Sequence, residues 1–157
     1  MLRIRPVSDQ DVYRLWEWAN EPGTRASSFR SDPIPWEEHL EWFARKCADA
    51  QCRMYILEAD GLPAGQVRFD IGPDGVAEVH VSLAAGSRGR GYGTVALRLG
   101  AARLFTDTNC AEVVAHIKAG NAASIRAFEK AGFRPGGARR VGNAYAVRMS
   151  LKSGETR

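Results

Sequence analysis

Val81-Ser82-Leu83-Ala84-Ala85-Gly86-Ser87-Arg88-Gly89-Arg90-Gly91-Tyr92-Gly93-Thr94 is the end of an alternating strand, a loop of glycines and arginines, and the opening of an apolar helix. Glycines let the backbone turn its N–H groups toward one point, and a helix start adds partial positive charge. Together they form a phosphate cradle, with Arg88 and Arg90 as further counter-charge. A P-loop would end in Lys-Ser or Lys-Thr, and this loop ends in Tyr92-Gly93-Thr94. The dinucleotide fingerprint G-x-G-x-x-G fails too, because Gly89 and Gly91 are followed by Thr94 where the third glycine belongs.

What remains is (Gln/Arg)-x-x-Gly-x-(Gly/Ala), filled by Arg88, Gly91 and Gly93. A second block follows, Asn121-Ala122-Ala123-Ser124 and then Phe128-Glu129-Lys130-Ala131-Gly132-Phe133. The two blocks, in this order and spacing, resemble the GNAT superfamily of N-acetyltransferases, whose cofactor is acetyl-CoA. The resemblance implies that the strand before the loop splays from its neighbour. The backbone of Val81, Ser82 and Leu83 then binds the pantetheine arm, and one N–H there holds the oxyanion of the reaction. It also implies that Arg88, Gly89, Arg90, Gly91, Tyr92, Gly93 and Thr94 bind the pyrophosphate by backbone donors. Asn121 contacts a pantetheine amide, and Ser124 and Phe128 face the thioester end. Many members carry a tyrosine where this chain has Phe128, and that phenol is thought to protonate the leaving thiolate. Phe128 cannot do so, which leaves Ser124 or Tyr92 as substitutes, or no general acid at all.

A chain of 157 residues is the size of one domain and buries a core without staples. The domain is expected over residues 1–152, with 153–157 as a tail. Cys47, Cys52 and Cys110, odd in number and without metal-ligand spacing, fit a reducing compartment and no metal site. The start, Met1-Leu2-Arg3-Ile4-Arg5-Pro6, has no apolar run after its charges, and no stretch has the length of a membrane span. A cytoplasmic protein with no membrane partner is the expectation. The net charge of +4 is either ordinary surface charge or an attraction for phosphorylated ligands. Nucleic-acid binding would call for a basic stripe interleaved with aromatics, and none is visible.

Along the chain, Leu2 and Ile4 alternate with Arg3 and Arg5 as a first strand. Ser8-x-x-Asp11 has the form of a capping box before Val12, Leu15, Trp16 and Ala19 at helical spacing. The helix is expected to stop near Asn20-Glu21-Pro22-Gly23, with a loop from Thr24 to Pro35. A second helix follows with Trp36, Leu40, Phe43 and Cys47 as its buried stripe. Three strands come next, over 53–59, 66–71 and 77–83, joined by Asp60-Gly61 and Pro73-Asp74-Gly75. The helix from Thr94 points Val95, Leu99 and Ala102 inward. A strand over 113–117, a helix capped by Asn121 and ended by Gly132, and two closing strands complete the order β-α-α-β-β-β-α-β-α-β-β. That order implies a single-domain α/β fold with a mixed, mostly antiparallel sheet flanked by helices. Monomer and homodimer both stay open.

Acyl transfer to an amine requires a proton to be removed as the bond forms. Val79, Val81 and Leu83 share one face of their strand, and Glu78, His80 and Ser82 share the other. Glu78 and His80 are the candidates for the base, directly or through water, and an unperturbed imidazole titrates near ~6.5. His39 and His116 read as surface or core residues in that role. Substrate choice in the resembled family falls to the first two helices and their loop. All four tryptophans lie in that zone, and Trp18, Asn20, Arg25, Phe29 and His39 are the candidate substrate residues. The wording there is similar to the acetyltransferases of the pseudaminic-acid pathway, which act on the 4-amino group of a UDP-linked deoxy-amino sugar. The alternatives are N-terminal acetylation of ribosomal or other proteins and a silent CoA-binding module. Polyamines fit less well, since clustered carboxylates are few.

Overall fold

The structure, a computed structural model, describes residues 1–154. Of the expected tail, residues 155–157 lie outside the described residues. Seven strands form one sheet: β1 (Leu2–Pro6), β2 (Cys52–Ala59), β3 (Leu62–Ile71), β4 (Val76–Leu83), β5 (Glu112–Lys118), β6 (Arg134–Val141) and β7 (Ala144–Lys152). Their order in space is β1-β2-β3-β4-β5-β7-β6. Every pair is antiparallel except β4 with β5. Five helices flank the sheet: α1 (Val12–Asn20), α2 (Pro22–Ser27), α3 (Trp36–Ala48), α4 (Tyr92–Asp107) and α5 (Ala122–Lys130). This is the single-domain, mostly antiparallel α/β architecture expected. No helix among the described residues is long and apolar enough to cross a membrane.

The larger core lies between the sheet and α4 with α5. It takes Tyr55, Leu57, Val67, Phe69, Ala77, Val79, Val113, Ala115, Ile117, Met149 and Leu151 from alternate strand positions. The smaller core, on the opposite face, packs Met54 and Ile56 of β2 against Leu15 and Phe43 of α1 and α3. Period-two alternation thus sends one set of side chains to each layer. Glu78, His80 and Ser82 fall on the face of the smaller core, as expected, opposite Val79.

Three local expectations are corrected. On α4 the buried face is Thr94, Ala96, Leu97, Gly100, Ala101 and Leu104, while Leu99 is 36% exposed and Ala102 is exposed. Small residues decide this rotation. A Cβ on Gly100 would lie 3.0 Å from both Phe69 and Val67, so only that face admits close approach to β3. On α3 the buried residues are His39 and Phe43, while Leu40 and Cys47 are exposed. His39 goes inside because its Nε2 is satisfied by the Val12 carbonyl at 2.8 Å. In the stretch read as a helix stop and then a loop, α2 forms instead. Pro22 suits the first helical position, and the Glu21 carboxylate accepts from the N–H groups of Gly23 and Thr24.

The first strand is tied to α1 by charge. Asp11 is fully buried and accepts two hydrogen bonds from Arg5, at 2.8 and 2.9 Å, one from the Ser8 N–H at 2.8 Å, and one from Arg14. Arg5 also donates to Glu58 on β2 at 2.9 Å. Burial alone raises the Asp11 carboxyl, but the bonds from Arg5, Ser8 and Arg14 outweigh it and bring it down to about 2. Removing the carboxylate strands a half-buried Arg5, so Asp11→Ala is expected to cost about 3 kcal/mol in urea unfolding at neutral pH. A depressed carboxyl stabilises the fold above its unfolded value and loses that contribution as pH falls through the folded one. The wild-type stability should therefore decline from pH ~4 toward pH ~2 more steeply than that of the variant.

Candidate active site

The site begins where two strands part. β4 pairs with β5 only through Val76, Ala77 and Glu78, opposite Glu112, Val113 and Val114. Beyond Glu78, β4 stays with β3 as far as Leu83, and β5 stays with β7 as far as Lys118. The Ala84 N–H donates to the Ala64 carbonyl at 2.8 Å. Alternation along an antiparallel strand then turns the Ser82 N–H toward β3 and those of Val81 and Leu83 toward the open side. Those groups have no strand partner. The open edge has the spacing of a missing strand, which suits an extended, amide-bearing molecule.

At the mouth of this gap the chain passes a 3-10 turn (Ala85–Ser87) and enters α4. Gly91 caps the helix with φ 78°, a left-handed conformation that lets the backbone turn sharply, and no side chain caps the helix start. The first N–H groups of a four-turn helix are thus left for an external acceptor. The arrangement fits a pyrophosphate held by the segment from Gly89 to Thr94. The Thr94 hydroxyl is already used, donating to the Ala127 carbonyl at 3.2 Å, so Thr94 has only its backbone to offer. Arg88 is engaged with Glu21 at 2.6 Å and with Thr24 at 2.7 Å, so it also ties the cradle to α2. Arg90 is exposed and has no ion-pair partner among the described residues.

Across the gap, Asn121 caps α5 by accepting from the Ser124 N–H at 3.2 Å, which leaves its amide donors for a ligand. Ser124 is half-buried in the first turn. Phe128, expected at the thioester end, packs in the larger core. It is 3% exposed and sits edge-on to Phe133 at 5.0 Å, so its ring is part of the core. Gln66 Oε1 is buried and unpaired, beside Ser82, which accepts from Gln66 Nε2 at 3.2 Å. It is an acceptor that still lacks a donor.

The polar face of the parting strands carries a connected set of charges. His80 Nε2 lies 2.9 Å from Glu78 and 3.7 Å from Asp70. His116 Nδ1, on β5, lies 3.5 Å from the other oxygen of Glu78. Asp70 in turn holds Lys46 at 2.9 Å and Arg68 at 3.2 Å, and Arg68 lies over the Trp42 ring at 5.1 Å. The hydrogen bond from His80 holds the Glu78 carboxyl below its usual range, with burial opposing and the two imidazoles adding to it. Burial, followed by the charge of Arg139, pushes His116 down. With Nε2 turned to the Glu78 carboxylate, Nδ1 is the ring nitrogen left over, the arrangement by which a carboxylate orients an imidazole.

The expected substrate residues separate into two groups. Trp18 packs at the edge of the smaller core, and Phe29 is exposed in the segment after α2. Asn20, Arg25 and His39 are spent on the protein itself. Asn20 clasps Ile34 through its N–H at 2.7 Å and its carbonyl at 3.1 Å. Arg25 donates to the carbonyls of Ala19, Arg30 and Asp32. His39 is buried between Trp36 and Trp42. Asn20 and Arg25 hold the segment after α2, and His39 joins α3 to α1. His116, set aside in the sequence as a surface or core residue, joins this polar cluster together with Asp70, Arg68 and Lys46, which the sequence had not singled out. For the three strand residues the signal was strand parity, usable only once the register of β3, β4 and β5 is known, whereas Lys46 reaches Asp70 from α3.

A family model described as an acetyltransferase (GNAT) domain matches residues 1–134. No curated protein matches the sequence. Among solved structures, a spermidine N-acetyltransferase from Vibrio cholerae in complex with CoA and spermine superposes with TM-score 0.87 at 19% identity, covering 99% of this chain and 97% of that one. An aminoglycoside acetyltransferase in complex with CoA and kanamycin gives 0.85 at 23% identity, covering 99% and 96%. An uncharacterized protein from Bacillus halodurans gives 0.83 at 17%, covering 99% and 86%. At these identities the likeness carries the fold. For the cradle, Gly91→Ala forces a side chain into left-handed backbone at a cost of about 1–2 kcal/mol. If the loop meets a pyrophosphate in that conformation, calorimetry should show acetyl-CoA binding weakened about tenfold.

Proposed function

The chain belongs to the GNAT acetyltransferase family, and on that premise we propose that it acetylates a primary amine with His80 as proton acceptor and Glu78 as its orienting carboxylate. The protein is an acyltransferase that uses acetyl-CoA, which when bound supplies the activated acyl group. The unpaired backbone of Val81 and Leu83, the cradle from Gly89 to Thr94 and the amide of Asn121 are the groups that hold it. The observation that carries the acid–base assignment is the 2.9 Å contact between His80 Nε2 and Glu78 at the vertex of the parted strands. Glu78 stays ionised there, which makes it a weak acceptor and a good anchor. His80, half-exposed, offers its free nitrogen to the incoming amine, directly or through one water. Ser124 remains the hydroxyl nearest in sequence to the family's acid position, and a thiol of pKa ~8.5 leaves without obligatory protonation.

For the acceptor, the reading is a deoxy-amino sugar linked to a nucleotide, with Trp18 and Phe29 as apolar faces for a base or sugar ring. Two features support it: the exposed Phe29 in the segment after α2 and the pairing of the site carboxylates Asp70 and Glu78 with cations and imidazoles. The similar solved proteins bind kanamycin and spermine, and a polycation is the rival acceptor.

The test is release of CoA thiol from acetyl-CoA with a UDP-linked amino-deoxy sugar, a ribosomal N-terminal peptide and spermidine. Release with the nucleotide sugar alone supports the acceptor assignment, whereas release with the peptide or spermidine alone replaces it. His80→Gln should lower kcat about a hundredfold and Glu78→Gln about tenfold, both with little change in the affinity for acetyl-CoA. Full activity of both variants across the neutral range would remove the base from these residues.

A further inference from the structure

We infer that the β5–β7–β6 arm of the parted sheet is a binding shelf for an anionic group of the acceptor, a phosphate, diphosphate or carboxylate, held by Arg139 and Arg148. The inference rests on the amine-acetylation reading above and adds the part of the substrate that does not react.

Register places the residues. In β5, Val113, Ala115 and Ile117 enter the larger core, so Glu112, Val114, His116 and Lys118 lie on the opposite face, which Glu78 and His80 share. Across β5 and β7, His116 stands opposite Arg148 and Lys118 opposite Ala146. Across β7 and β6, Ala146 stands opposite Arg139. Directly opposed residues project from the same side of a sheet. The imidazole that touches Glu78 is therefore followed outward by Arg148, and the small, buried Ala146 forms a floor between Lys118 and Arg139.

The shelf is open. α1 packs on β4 and α3 on β2, so the helices of that layer cover the other arm. Arg139 is exposed and has no carboxylate partner among the described residues. The Arg148 side chain is 38% exposed, and its acidic neighbour among the described residues, Glu112, is 3.7 Å away. Lys118 marks the rim, donating to the Ala26 carbonyl of α2 at 2.9 Å. Burial first, and then the charges of Arg139 and Arg148, push His116 down, in keeping with cations that face the same space.

The charge balance weighs against the opposite preference. A polycationic amine needs carboxylates free to receive it. On this face Asp70 is taken by Lys46 and Arg68, Glu78 by His80 and His116, and Glu112 stands beside Arg148. What is left over is guanidinium, whose planar donors suit carboxylate and phosphate oxygens.

The test separates the shelf from the chemistry by two readouts. First, UDP is titrated into the CoA-saturated enzyme, so that the pyrophosphate cradle is already filled. The wild type should bind UDP, and Arg139→Glu with Arg148→Glu should weaken it at least about tenfold. Equal affinity in the variant, or no binding by the wild type, overturns the shelf. Second, CoA-thiol release is compared for a UDP-linked amino sugar and for the methyl glycoside of the same amino sugar. Arg139→Gln should lower kcat/KM for the nucleotide-linked amine at least about tenfold more than for the glycoside. Equal losses, or a wild-type preference for spermidine over both, overturn the inference. If no amine releases thiol while UDP binding behaves as stated, the acceptor reading falls and the shelf stands.

Discussion

The structure depends on an unfinished pairing. Backbone N–H and C=O groups that lose water without gaining a partner are costly, and nearly all of them in a folded protein are paired. Here β4 gives up β5 after Glu78 and leaves the outward groups of Val81 and Leu83 without a strand neighbour. The cost is bearable because a ligand with its own amides can take the neighbour's place. The same divergence also separates two polar surfaces, one on β3 and β4 and one on β5, β7 and β6. Glu78 sits at the vertex and touches both through His80 and His116.

Charge is divided along that line. On the β3–β4 side Asp70 and Glu78 are both paired, and the imidazole of His80 lies against them. On the other side the cations outnumber the acids. α2 spans the opening between them, with Arg88 of the cradle bound to Glu21 at one end and Lys118 of β5 bound to Ala26 at the other. A six-residue helix too short to hold itself together is fixed by contacts from both arms.

Much of this was legible beforehand. The glycine–arginine loop, the Asn121 cap, the Asp60-Gly61 turn and the alternation of β4 each depend on a few adjacent residues, and each formed where expected. Two of the errors share one cause. Leu99 and Leu40 satisfy helical periodicity, yet they are displaced outward by Gly100 on α4 and by His39 on α3. A glycine wins by allowing close approach and a histidine by finding a carbonyl, and hydropathy records neither. Asn20 and Arg25 illustrate the same point at the site. Asn20 ends α1 and Arg25 lies in α2, and their hydrogen bonds run to the backbone of neighbouring segments, which hydropathy does not record.

The sequence by itself determined the strand–loop–helix cradle, the family, the order of elements and the face of β4 that bears Glu78 and His80. All of these are local, because dihedral preference and period-two alternation act over a few residues. Only the tertiary structure decided which residues complete the site. His116, Arg148 and Arg139 come from three strands separated along the chain, and their meeting depends on a register set by the whole core. Register is a collective property of side-chain packing on both faces of a sheet, so no short stretch of sequence contains it.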